Sequence, residues 1–168
     1  MWTKLRIAFL VLAALIVGAW AWVNVWSNTG YAPEQPIAFS HKLHAGDNHI
    51  PCLYCHTNAE RSRHATVPAL NVCMNCHSVV AVNKPNIAKL TEAYNSDKPI
   101  PWIRIYKLPE FTHFDHSRHL AKGFDCAVCH GPVATMNRVY QYRRLDMGEC
   151  VKCHQQNGAP TTCNTCHQ

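Results

Sequence analysis

The chain has little charge. Only 15% of its 168 residues are Asp, Glu, Lys or Arg, against roughly 25% in an ordinary globular domain. No block of like charge runs along it, so it is not an acidic or basic disordered tail. Its basic residues are scattered, which discounts a nucleic-acid face despite a formal net charge of +6. Tryptophan is almost absent beyond the N-terminus. Trp2, Trp20, Trp22 and Trp26 lie in the first 26 residues, and only Trp102 follows. What the chain has in excess is cysteine and histidine, 10 and 12 residues. Ordinary cytosolic enzymes do not have this composition.

Lys4 and Arg6 precede an apolar run, IAFLVLAALIVGAWAWVNVW, over residues 7–26. Twenty residues at a helical rise of about 1.5 Å span a hydrocarbon layer of roughly 30 Å. The positive flank marks the cytoplasmic side, and Trp20, Trp22 and Trp26 suit the outer interface. The competing reading is a cleaved signal peptide, because Ala19-Trp20-Ala21 has the small-x-small form. The apolar run continues past that site, which favours a transmembrane signal-anchor over residues 1–26. Either reading exports the rest of the chain. Residues 27–38, SNTGYAPEQPIA, read as a polar tether.

The cysteines form five CxxC pairs and none is left over. They are Cys52 with Cys55, Cys73 with Cys76, Cys126 with Cys129, Cys150 with Cys153, and Cys163 with Cys166. A histidine follows each at once: His56, His77, His130, His154 and His167. CxxCH is the attachment signal for c-type haem. Its two thiolates add to the porphyrin vinyl groups, and the adjacent histidine reaches the iron as proximal ligand. Disulfides are plausible in an exported chain, but they do not require a histidine after each pair. Zinc sites built from two CxxC pairs would leave the fifth pair orphaned. A redox CxxC normally occurs singly. The expectation is five covalently bound haem c groups.

The chain is also duplicated. FSHKLH (39–44) stands seven residues before Cys52, and FDHSRH (114–119) stands six residues before Cys126. Each FxHxxH-x(6–7)-CxxCH unit is followed by another CxxCH, and the second copy gains a fifth at the C-terminus. The repeat halves are about 39–80 and 114–168, within a haem domain of 39–168. Histidines at i and i+3 share a helical face. They are too close together to serve one haem, so His41, His44, His116 and His119 read as distal ligands to four different irons. A fifth distal ligand is expected among His64, Met136 and Met147. A methionine there would raise the potential of that haem relative to a second imidazole, although a methionine is as readily a core filler. His49, in the polar turn AGDNH, reads as exposed, and His113 as a spare packing beside the second cluster.

Between the motifs, residues 83–85 (Asn-Lys-Pro) can cap and start a helix over roughly 84–95, with Ile87, Leu90 and Tyr94 on one stripe. The prolines in PIPWIRIYKLPEF (99–111) keep that stretch extended. It has no haem motif and is expected to wrap and join the halves. The fold class is therefore mainly α and irregular: one N-terminal transmembrane helix plus a small multihaem cytochrome c domain with little regular secondary structure. About 28 residues per haem cannot build an ordinary two-layer core, so the core is made of haems.

FxHxxH followed by CxxCH resembles the small class III multihaem cytochromes. The stretches QPIAFSHKLHAG, IPCLYCHTNAERSRHATVPALNVCMNCHS, KPIPWIRIYKLPEFTHFDHSRHLAKGFDCAVCHGPV and LDMGECVKCH further resemble the pentahaem cytochrome subunits of alternative complex III. The likeness runs from about Gln35 to the C-terminus. It implies an electron-transfer subunit of a quinol:acceptor oxidoreductase in the respiratory chain, with no catalytic residue of its own. Electrons would pass from membrane quinol to a periplasmic cytochrome or terminal oxidase. The implied partners are an iron–sulfur subunit, polytopic quinol-binding subunits and often a monohaem cytochrome. The implied location is the cytoplasmic (inner) membrane, single-pass, with the haem domain on the periplasmic side. The class III likeness also implies that His41 serves the haem of His56, and His116 that of His130, leaving His44 and His119 to other haems. Related quinone reductase complexes of anaerobes carry a similar subunit, which is the alternative reading. A multihaem nitrite-type reductase would need an open iron position, and the chain has histidines enough to fill every site. A stand-alone quinol dehydrogenase of the single-anchor tetrahaem type is disfavoured by the duplicated FxHxxH. Without Lys4 and Arg6 the exported part has 14 basic and 10 acidic residues. Its surplus of basic side chains is suited to haem propionates.

Overall fold

The computed structural model describes residues 2–25 and 27–167. The interfacial position expected for Trp26 lies outside the described residues. Helix α1, Trp2–Val25, is the only described helix long and apolar enough to cross a membrane. In lipid a backbone must satisfy its own hydrogen bonds, which a proline-free run of Leu, Ile, Val and Ala does as a helix. Its side chains project outward almost throughout, Phe9 being 71% exposed.

The remainder is helical and irregular, with no strand among the described residues. A π-helical turn, Lys42–Asp47, follows Phe39. Helices α2 (Cys52–Cys55), α3 (Leu70–His77), α6 (Ala127–His130), α7 (Met147–Gln156) and α8 (Cys163–Cys166) each carry cysteines of one CxxCH. Helix α4 is Pro85–Asn95, close to the expected 84–95, and its Leu90 is buried against α3. Proline fits its first turn because no backbone donor is needed there. Helix α5, His116–Ala121, is started by Asp115, whose carboxylate accepts from the Ser117 and Arg118 amides. The Ser117 hydroxyl also donates to Asp115 at 2.6 Å, holding that carboxyl below its ordinary range.

Residues 99–109 run without helix or strand, as their prolines require, and residues 110–111 form a turn. The stretch bonds the segment before the first half to the second half. Gln35 exchanges two hydrogen bonds with Ile103, at 2.9 and 2.8 Å. The Tyr106 hydroxyl faces the carbonyls of Tyr140 and His130 and accepts from the Tyr142 amide. The segment read as a tether is fastened rather than free. Gly30 N–H donates to Gln141 O, and Gln141 N–H returns to Tyr31 O. The Gln141 side-chain amide donates to Ser27 O at 3.0 Å, and that residue is only 3% exposed. The chain leaving α1 is thus tied to the second half of the domain.

One backbone approach decides how the halves meet. A Cβ on Gly46 would collide with Ala134 O, so the π-helical turn seats on the 3-10 turn Val133–Thr135 only with glycine there. Gly131 has φ +71°, and a Cβ would enter the Tyr142 ring. The protein's own core is slight. Ile37, Ala59, Leu90 and Met136 are the buried apolar side chains among the described residues.

Candidate haem-binding sites

Each CxxCH is built on a short helical turn that brings its two thiols to one side. Cys52 with Cys55 and Cys163 with Cys166 begin and end their turns, α2 and α8. Cys73 and Cys76 stand at the fourth and seventh of the 8 residues of α3, and Cys129 lies in α6 with Cys126 at its N-terminal boundary. Cys150 and Cys153 lie one turn apart in α7, both half-buried. The carbonyl of Cys153 accepts from the Asn157 amide and, at 2.8 Å, from the Asn157 side chain. The same side chain reaches the Cys153 Sγ at 3.7 Å, so α7 ends fastened to its second thiol. All ten cysteines are unbridged thiols rather than disulfides, with Cys52, Cys76 and Cys163 exposed and the other seven half-buried.

Each FxHxxH segment orients its histidines through its phenylalanine. Phe39 stacks on His44 at 4.3 Å and meets His41 edge-on at 4.8 Å. Phe114 repeats this on His119 at 4.4 Å and on His116 at 4.8 Å. The residue after each phenylalanine supplies a carbonyl. Ser40 O accepts from His44 Nδ1, and Asp115 O from His119 Nδ1, both at 2.8 Å.

The same bond recurs across the domain. Nδ1 contacts a carbonyl in His56 (Thr66, 2.6 Å), His77 (Val80, 3.1 Å), His116 (Arg63, 2.7 Å), His154 (Pro160, 2.6 Å) and His167 (Phe111, 3.2 Å). A carbonyl only accepts, so each imidazole donates from Nδ1. In the neutral ring that leaves the lone pair on Nε2, the tautomer a metal ligand needs.

The rings are also paired. His44 faces His77 at 6.1 Å, His116 faces His130 at 6.3 Å and His119 faces His154 at 6.1 Å. An imidazole–metal bond of about 2.0 Å plus about 1.2 Å to the ring centre puts two trans imidazoles on one iron about 6.4 Å apart. The observed spacings fit a single iron between each pair. In all three pairs one histidine belongs to a CxxCH and the other to an FxHxxH. His41 lies near His56. Burial first, then the charges of His56 and His44, hold His41 down at about 4. His130 is likewise held at about 4 by burial, then by His116 and His56. Among the described residues no group of three or more His, Cys, Asp or Glu gathers as a metal-ion site. The donor geometry is that of separate two-imidazole axial pairs beside cysteine pairs, which suits haem c.

The other candidates are placed differently. Beside His167 the structure puts the Phe111 ring, at 5.7 Å. Met136 is buried, and its carbonyl accepts from the Lys42 amide. Met147 is 68% exposed in the first turn of α7. His64 is exposed in the loop after α2. Its neighbour Arg63 donates to His113 Nδ1 at 2.7 Å, and the His113 amide donates to Cys166 O at 2.7 Å. An arginine only donates, so His113 Nδ1 accepts and its proton sits on Nε2. That tautomer unsuits His113 as an Nε2 ligand. His49 is exposed, with φ +53° in its turn.

Sequence reading did not find the carbonyl partners or the phenylalanine wedge. The signal was present in the repeat itself, since both copies share Phe, one residue, then His. It also missed Arg143, which donates to Val128 O and pairs with Glu149 at 3.0 Å, joining the third and fourth motifs.

Residues 112–168 match the family described as cytochrome c7 and related cytochrome c. The chain is 27% identical, over 185 aligned residues, to the multihaem cytochrome c subunit of menaquinone reductase from Nitratidesulfovibrio vulgaris (strain Hildenborough). That alignment covers 94% of this chain and 87% of the relative. With the helical and irregular architecture, these matches make the part after α1 a small multihaem cytochrome-type domain with covalently bound haem c, suited to electron transport.

Proposed function

We propose that the chain is the pentahaem electron-transfer subunit of a membrane quinone oxidoreductase complex, anchored by α1 with residues 27–168 on the periplasmic side. The observation that carries this is the set of three trans-spaced histidine pairs, each with Nδ1 of its FxHxxH histidine committed to a carbonyl. Five CxxCH motifs hold five haems, with His56, His77, His130, His154 and His167 proximal. Cys150 and Cys153 hold the fourth of them, as the other four cysteine pairs hold theirs. His41, His44, His116 and His119 are the distal ligands of the first four. His64 is the fifth, because the His116 and Ser117 amides bond the Arg63 and Ser62 carbonyls and hold its loop against the segment whose His113 amide reaches Cys166. Held in this way, the haems would supply one-electron exchange. The paired histidines would hold them through neutral imidazoles and leave no ligand position for a substrate. The subunit is a wire, and its partners supply the chemistry.

The first reading of the complex is the alternative complex III type. The subunit then takes electrons from a quinol-oxidising assembly of iron–sulfur and polytopic subunits and delivers them to a periplasmic cytochrome or terminal oxidase. The four sequence stretches from Gln35 onward support it. The second reading reverses the direction, toward a quinone, and the menaquinone reductase relative favours it. Purification of the native complex tests both. Haem reduction by added quinol, with delivery to a periplasmic cytochrome, supports the first. Haem oxidation by added quinone after reduction from the periplasmic side supports the second. Co-purification with no membrane quinone subunit would refute the proposal. Intact mass and haem absorbance of the mature chain are expected to give five haems, one per CxxCH, and three or fewer would contradict it.

A further inference from the structure

We infer that the five attachment sites form one unbranched chain in the order second, first, third, fourth, fifth, so that the two repeats meet at their leading motifs. The inference rests on the five-haem reading and adds the order, which differs from the order in the sequence.

The second and first sites are joined twice. His41 and His44 leave one short segment, His41 beside His56 and His44 facing His77. The Asn75 amide also donates to the Tyr54 hydroxyl at 3.0 Å, from inside one CxxCH to inside the other. The first and third sites are joined across the repeats. The Lys42 amide donates to Met136 O, and Gly46 seats on Ala134. In return Arg63 O, in the loop after the first motif, receives His116 Nδ1 at 2.7 Å. The Cys126 thiol is raised first by burial and then by the nearby Cys52. The third and fourth sites share α5, whose His116 faces His130 and whose His119 faces His154. Arg143 spans the same gap, from Val128 to Glu149. The fifth site follows the fourth after a short loop closed by His154 Nδ1 on Pro160 O, with Cys166 acting on Cys150.

The repeat explains this order. Each FxHxxH clamps the two haems of its own copy, so each copy is a two-haem rod. The copies are joined through the segments around their first motifs, which makes the second and fourth motifs outermost before the fifth is added. Electron transfer slows steeply with separation, so neighbours along this chain are the steps of the path. The second and fifth sites are its ends.

The test uses the native membrane complex carrying variants of this chain. Cys163→Ala with Cys166→Ala removes the fifth attachment, and Cys73→Ala with Cys76→Ala removes the second. Loss of an end does not cut the remainder. The complex's own donor, quinol or reduced periplasmic cytochrome, is therefore expected to reduce the same remaining haems that it reduces in the unmodified complex, or none of them. Loss of reduction at only some of those haems in either variant overturns the order. Should a variant fail to mature, iron positions in a cryo-EM map of the unmodified complex decide. The nearest irons to the first are expected to be the second and third. A first iron adjacent to the fourth, or a fifth adjacent to the second, overturns the order. Fewer than five irons in that map refutes the five-haem reading and the order with it, which separates the two failures.

Discussion

Produced without haem attachment, or with all ten cysteines replaced by serine, the domain after α1 is expected to remain unfolded. The reason is the small amount of apolar surface that its side chains bury on one another. Four apolar residues are buried among those described, and no large side chain is fully enclosed. A fully buried core residue typically touches about 6–12 others, and a domain normally assembles many such residues in one layer interface. Here helix-on-helix packing is confined largely to α3 against α4 and one turn against another. Val67, Val79, Val80 and Phe111 are more than half exposed. Ordering a residue costs about 1.2–2 kcal/mol, which this core does not offset. The histidine pairs and the cysteines meet the rest of that cost only through the groups they hold. Amide dispersion in the NMR spectrum, near-ultraviolet dichroism and limited proteolysis of the haem-free chain check this. A cooperative thermal transition without haem would contradict it. Cysteine burial points the same way. The thiols of Cys55, Cys73, Cys126, Cys129 and Cys150 are all raised by burial first. They are least nucleophilic in the folded arrangement, so attachment is best made on the unfolded chain.

The degree to which this was legible in the sequence follows from the period of each signal. CxxCH and FxHxxH are local, and local geometry decides what they do, so helices α2, α3 and α5–α8 fall where the motifs stand. The helix at Pro85–Asn95 was legible because proline marks its start and Leu90 its stripe. Which CxxCH histidine His44 and His119 come to face was not legible. It depends on which CxxCH comes opposite a histidine one helical turn along, and that is set by long-range seats such as Gly46 on Ala134. The fastening of residues 27–38 was hidden for the same reason. A polar, proline-containing stretch reads as a tether, and distant partners make it a strap, among them Gln141, 114 residues from Ser27. His113 shows the opposite case. Beside a cluster of ligands it resembles another, and only the arginine donating to its Nδ1 removes it.

Replacing His116 with glycine should convert one haem of the mature protein from low-spin to high-spin, while His113→Phe should leave the low-spin spectrum unchanged. Both residues lie on the approach to the second repeat, three positions apart, and both bond to Arg63. The direction of those bonds differs. His116 gives its Nδ1 proton to the Arg63 carbonyl at 2.7 Å and keeps Nε2 free toward His130. His113 receives at Nδ1 from the Arg63 guanidinium and carries its proton on Nε2. Glycine at 116 removes one imidazole of the most nearly parallel pair, 13° apart, and adds no competing ligand. Free imidazole fits the space left and should restore the low-spin form, a rescue that a general folding defect would not show. His116→Met would keep six ligands and instead raise that haem's potential, by a fraction of the roughly 0.8 V that axial ligands span. Electron paramagnetic resonance of the oxidised protein separates these outcomes, with high-spin signal in the glycine variant alone. A high-spin signal in His113→Phe, or none in His116→Gly, would reassign the distal ligand of the third haem.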